Sequence, residues 1–234
     1  MSIIIQHISK SYTGNSIYRN FSLTLPEKRI SCILGPSGCG KTTLLNILGG
    51  LTHQDTGSVR FDSDHVISYI FQDPRLLPWK TVKENIEFVL EKTNKHHHSV
   101  VPESYLQMVG LEAYQDYFPA QLSGGMKQRV AIARAFSYPS DIILMDEPLK
   151  TLDPKLKWSL MKTFLRIWKQ DKRTVVFVTH DVDEALMLGE EIFIFSQPPV
   201  AVKSQITNPL TLEEKTPENK EFFEQKNKIM KLLD

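Results

Sequence analysis

Long hydrophobic runs are missing from this chain. Its longest uninterrupted apolar stretches, such as residues 175–178 and 192–195, stop at four residues, far short of the roughly 20 that a membrane-spanning helix needs. Cysteine is scarce as well: Cys32 and Cys39 are the two in 234 residues. That is too few for a disulfide framework and fits a reducing compartment. Net charge is nearly absent, and a formal value of +1 leaves no basic footprint for nucleic acid. The opening MSIIIQHISK lacks the basic segment and long apolar stretch of a secretory signal. No internal repeat or low-complexity tract is evident. These deficits predict a cytosolic globular chain, whose 41% hydrophobic and 24% charged residues allow a real core.

What is present alternates. Residues 3–5 are β-branched, and FSLTL at 21–25 alternates like a half-buried strand. Both precede a glycine loop, which predicts an N-terminal antiparallel layer. ISCIL at 30–34 reads as a buried strand, and so do residues 142–145, 174–179 and 192–195, with helical patterns between them. This is the pattern of an α/β core with a mainly parallel sheet. Thr81-Val-Lys-Glu84 is a capping box that opens a helix, and Pro102 begins another. No strand is expected from about 73 to 137, so an inserted α-helical subdomain is predicted there. Residues 1–72 and 138–205 would form the core, and 206–234 a charged peripheral segment, expected to be helical from Asn208-Pro209 onward. Within the insert, NKHHHS at 94–99 reads as a solvated loop or, less simply, as a metal site built on His96, His97 and His98.

The chemistry sits in short motifs. GPSGCGKTT at 35–43 follows a strand and precedes a helix, matching G-x-x-x-x-G-K-[ST]. In such a P-loop the glycines let backbone amides close around a phosphate, Lys41 reaches β and γ oxygens, and Thr42 ligates Mg²⁺. IILMDEP at 142–148 ends a buried strand in two carboxylates, suited to holding Mg²⁺ (Asp146) and to polarising an attacking water (Glu147). His180, after the strand at 174–179, is by itself a residue more often structural than catalytic. Gln72, in IFQDP, could ligate Mg²⁺ or be an ordinary surface amide. LSGGM at 122–126 places two glycines at the mouth of a helix, a second phosphate-facing feature. Pro74, Leu76, Leu77, Pro78 and Trp79 form an apolar cluster that either packs the insert or docks a partner.

The ordered set GPSGCGKTT, Gln72, LSGGM, ILMDEP, Leu152-Asp153 and His180 resembles the nucleotide-binding subunit of an ABC transporter over nearly the whole chain. The resemblance implies an ABC ATPase fold that uses ATP and Mg²⁺. Two subunits would pack head to tail, each LSGG capping the nucleotide held by the other's P-loop. Gly35, Pro36, Ser37, Gly38, Cys39, Gly40, Lys41, Thr42 and Thr43 would hold the phosphates in cis. Ser123, Gly124 and Gly125 would bind γ-phosphate in trans. Tyr12 would stack on adenine, although a strand-end core tyrosine is the alternative. Glu147, His180 and Gln72 would be catalytic, Thr42, Gln72 and Asp146 would serve the metal, and Asp153 would lie at the dimer interface.

Two departures stand out: a trimmed turn between Phe61 and Gln72, and Lys150 where relatives carry a small or apolar residue. A cassette on its own chain is similar to importers, and FQDPRLLPWKTVKENI resembles the group for nitrate, sulfonate, taurine and thiamine-precursor pyrimidines. The implied partners are a second copy, a membrane permease and an extracytoplasmic solute-binding protein, with no nucleic acid. The implied location is the cytoplasmic face of the membrane. The alternatives are a soluble ABC-type ATPase acting on nucleic acid or ribosomes, and a nucleotide-sensing scaffold. The near-neutral charge argues against the first, and Glu147 with His180 against the second.

Overall fold

ISCIL carries a single small polar residue, Ser31, and the fold buries it with its apolar neighbours. In the computed structural model, which describes residues 2–90 and 102–233, these five residues form a strand buried at every position. In chain order, β1 (Ser2–Tyr12), β2 (Asn15–Pro26) and β3 (Ile30–Leu34) precede α1 (Lys41–Leu48), β4 (Thr56–Phe61) and β5 (Ile67–Ile70). Helices α2 (Val82–Leu90), α3 (Pro102–Val109) and α4 (Gly124–Ser137) follow. The chain continues through β6 (Ile142–Asp146), α5 (Pro154–Asp171), β7 (Thr174–Thr179) and α6 (Val182–Leu188). It ends with β8 (Glu191–Phe195), β9 (Val202–Thr207) and α7 (Lys220–Leu233). The run His96, His97 and His98 lies outside the described residues.

Two compact units share these elements: residues 1–65 with 172–234, and residues 66–171. In the first unit β2, β1 and β4 make an antiparallel sheet. Its other strands run in the order β7-β3-β8-β9, with β3 parallel to both neighbours and β9 antiparallel to β8. The buried runs Val175, Val176, Phe177 and Val178, and Ile192, Phe193, Ile194 and Phe195, flank β3 on either side. Strands covered on both faces need no polar alternation, which is why these runs are continuous.

The second unit pairs β5 with β6 in parallel, Ile67 opposite Ile142 through Ile70 opposite Met145. Among the described residues no strand lies between Ile70 and Ile142. The capping box at α2 is reciprocal: Thr81 N donates to Glu84 Oε2 at 2.7 Å, and Glu84 N donates to Thr81 Oγ1 at 3.2 Å. Helix α5 buries Leu160, Met161, Phe164, Leu165 and Trp168 on one face. Phe164 meets Phe136 of α4 edge to face, with centroids 5.1 Å apart.

The strands differ from expectation where they are polar. β1 extends well past residues 3–5, and β9 alternates half-buried with exposed positions. An edge strand carries little apolar signal, and its partner supplies the ladder. The charged C-terminal region does hold a helix, and α7 buries Phe222 and Ile229. Among the described residues no helix is long and apolar enough to cross a membrane.

Candidate active site

The glycine loop is folded around its own lysine. Lys41 is 5% exposed, and its Nζ donates to Gly35 O at 2.7 Å and Pro36 O at 2.8 Å. Gly38 and Gly40 take φ of 78° and 105°, the left-handed region that disfavours side chains. At Gly40 a Cβ would also come within 2.5 Å of Ile17 Cγ2. No side chain caps α1, whose first turn carries Thr42 and Thr43, and a helix N-terminus is a feature suited to an anion.

A residue that motif reading passes over anchors this loop. Tyr18 is fully buried and its hydroxyl donates to Gly40 O at 2.8 Å. Burial, and then the neighbouring Cys39, push its ionisation well above the usual tyrosine range, so it stays a donor. The contact joins residues 22 positions apart. Only the antiparallel layer brings them together, and no local spacing marks it.

Register places His180 in the same unit. Leu34 pairs with Thr179, so Gly35 and His180 leave neighbouring parallel strands at one carboxyl edge, where α/β sheets bind ligands. His180 is exposed. Its turn is fixed on both sides. Thr179 Oγ1 donates to Glu184 Oε2 at 2.6 Å, and Asp181 caps α6 by accepting from Asp183 N at 2.9 Å. Tyr12 ends β1 with 43% of its surface exposed and Lys10 Nζ 5.2 Å from its ring centre. It is not a core tyrosine.

In the second unit the same register logic holds. Ile70 pairs with Met145, so Gln72 and the Asp146-Glu147 pair follow adjacent strand ends. Asp146 is 4% exposed, and its charge, after burial, helps push Tyr69 far up. Glu147 sits in the left-handed region at φ 43°, and Lys150 Nζ lies 2.9 Å from its Oε2. Gln72 is exposed. The segment after it is tied from behind: Arg134 donates to Pro74 O at 3.0 Å and Arg75 O at 2.9 Å. Buried Asn85 brackets Leu77, accepting from its N at 2.8 Å and donating to its O at 3.2 Å. Leu77 is half-buried, and the exposed members of the apolar cluster are Pro78 and Trp79, the latter at 70%.

Ser123 is the N-cap of α4, its Oγ accepting from Met126 N at 3.2 Å. Ser123 and Gly124 are exposed, and a Cβ on Gly124 would meet nothing within 4 Å. Gly125 is different, since a Cβ there would press on Leu152 Cδ2 at 3.2 Å. Asp153 is exposed and accepts from Leu156 N at 3.0 Å at the start of α5.

In the second unit Asp146 offers a carboxylate and Gln72 an amide, and in the first unit Thr42 offers a hydroxyl; each is an oxygen donor of the kind a hard cation takes. Among the described residues no cluster of three or more His, Cys, Asp or Glu could hold a metal. Few protein ligands suit Mg²⁺, which keeps waters and shares its shell with substrate phosphates.

Cys39 has a testable chemistry. It is fully buried, and burial pushes its thiol above the ordinary range despite Lys41. The thiolate is the nucleophile, so alkylation at neutral pH should be slow, faster as pH rises, inhibitory, and blocked by MgATP. Cys32 is also buried and pushed up further. Equal inhibition of a Cys39→Ser protein would show that Cys39 is not the target.

The family model described as "ABC transporter" matches residues 18–150. The chain is 35% identical to an aliphatic sulfonates import ATP-binding protein, SsuB, of Bacillus cereus, covering 100% of this chain and 96% of that one. It is 36% identical to a nitrate import ATP-binding protein, NrtD, of Synechococcus elongatus, covering 79% and 71%. Its fold matches a dimeric ATP-binding cassette in a post-hydrolysis state with ADP and Pi at a TM-score of 0.77 and 31% identity, covering 89% of this chain and all of that one. With its P-loop strand, its acidic strand end and a match over most of its length, the chain belongs to the ABC transporter family as an ATP-binding importer-type ATPase.

Proposed function

We propose that two copies of this chain close on two ATP molecules and couple their hydrolysis to passage of a small solute through a separate permease. The observation that carries this is the paired strand ends. Gly35 with His180, and Gln72 with Asp146 and Glu147, each leave neighbouring strands at one edge. The P-loop would hold the phosphates through its amides and Lys41, with Tyr12 against adenine. Glu147 would accept a proton from the attacking water, and His180 would contact the γ-phosphate. Thr42, Gln72 and Asp146 would hold Mg²⁺, which supplies charge neutralisation for the phosphate oxygens.

The open space above Gly124 supports the trans arrangement. Among the described residues nothing crowds a Cβ at Gly124, so glycine there fits a phosphate arriving from outside on Ser123, Gly124 and Gly125. Asp153 would face the same partner. Residues 73–137 would act as the insert that moves with nucleotide, on a core of 1–72 and 138–205 with 206–234 at the periphery. The partners would be the permease and an extracytoplasmic solute-binding protein, placing the chain at the cytoplasmic membrane face. Curated relatives include importers of aliphatic sulfonates, nitrate and taurine, and a small solute of this kind is the proposed cargo.

Docking would use the segment behind Gln72, where Arg134 and Asn85 hold the backbone and Trp79 projects to solvent. An exposed aromatic on a fixed segment is the type of residue that anchors an interface. Trp79→Asp should leave ATP binding and folding of the isolated chain unchanged and abolish co-purification with the permease. Retained co-purification with normal uptake would rule this surface out.

A further inference from the structure

Lys150 is tied to Glu147 twice. Its backbone N donates to Glu147 O at 3.3 Å, closing a turn, and its Nζ lies 2.9 Å from Glu147 Oε2. The side-chain contact is an ion pair between ammonium and carboxylate. Glu147 is the residue in this turn with a left-handed backbone, at φ 43°, immediately after buried Asp146 ends β6. An unusual backbone conformation at a chemical group is a reason to look for a function. The two side chains differ in exposure, Lys150 at 45% and Glu147 at 12%. The cation therefore reaches inward from solvent to a carboxylate that is nearly enclosed.

We propose that Lys150 is a positioning residue for Glu147, its ammonium holding the carboxylate in one orientation at the end of β6. The inference rests on the reading of Glu147 as the base that activates water. A general base works through its own orientation, and in nucleophile–base pairs the base is commonly held by a third group. Here that group is supplied from the same turn, three residues on. Half-exposed ion pairs contribute little to folding. Small displacements of reacting groups can still cost large factors in rate. Removing Lys150 should therefore reach the chemistry and spare the fold.

The test is steady-state ATPase kinetics on the full chain, with thermal unfolding measured alongside. Lys150→Ala should lower kcat by about ten-fold, with KM for ATP and the unfolding temperature unchanged. Lys150→Arg should recover most of the loss, because charge and reach are kept. In a Glu147→Gln background, Lys150→Ala should change the residual rate by less than about two-fold, since there is no carboxylate to orient. An unchanged or increased kcat in Lys150→Ala would overturn the proposal, as would an equal loss in the Gln background or a change confined to KM. If Glu147→Gln alone hydrolyses normally, the base reading falls and this inference falls with it. If Glu147→Gln is inactive and Lys150→Ala is normal, this inference alone fails.

Discussion

Glu147→Gln should bind ATP as the unmodified chain does and turn it over about a hundred-fold more slowly or worse, the scale of losing a general base. The substitution keeps the shape of the side chain and removes its capacity to take a proton. Glu147 is largely enclosed and follows directly on Asp146, at the end of a strand buried at all five positions. Its environment leaves little room for a neighbouring carboxylate to substitute. Nucleotide titration and single-turnover hydrolysis on the same preparation separate binding from chemistry. Near-normal single-turnover hydrolysis would remove Glu147 from the role.

Lys41→Ala should act earlier, on binding. The ammonium is 5% exposed and is held by two loop carbonyls, Gly35 O and Pro36 O. Alanine leaves those carbonyls unpartnered and takes the positive charge from the loop that would meet the phosphates. Truncating one partner of a buried, hydrogen-bonded charge pair commonly costs a few kcal/mol, so ATP affinity should fall about thirty-fold or more. Titration with a fluorescent ATP analogue reads this directly. Unchanged affinity would mean that the loop does not hold the triphosphate.

The parts of this molecule legible in its sequence are those with local causes. ISCIL and the runs at 174–179 and 192–195 are continuous because β3, β7 and β8 are buried on both faces. The Thr81–Glu84 box is readable because both of its hydrogen bonds lie within one helical turn. The P-loop needs glycine where φ is left-handed, and it has glycine there. β9 was not legible, since an edge strand with alternate positions in water looks like a charged loop. Tyr18, Arg134 and Asn85 were hidden for another reason. Each acts on a backbone carbonyl supplied by a different element, and such carbonyls carry no side-chain identity to recognise. Lys150 was visible as a departure from the family pattern, but its contact with Glu147 emerged only from the conformation of the turn.

The central claim is that the P-loop of one copy and the LSGG of another make one site. Ser123 is exposed at the N-terminus of α4 and Lys41 is buried in the loop of the other unit, so each can be disabled on a separate chain. Ser123→Arg and Lys41→Ala proteins should each be nearly inactive alone. Mixed in equal amounts with ATP, they form some pairs in which one composite site carries both Lys41 and Ser123. The account predicts ATPase activity in the mixture well above the average of the two parents, rising with total protein concentration as pairing increases. A mixture no more active than that average, with both variants folded by thermal unfolding and present at micromolar concentration, would contradict it.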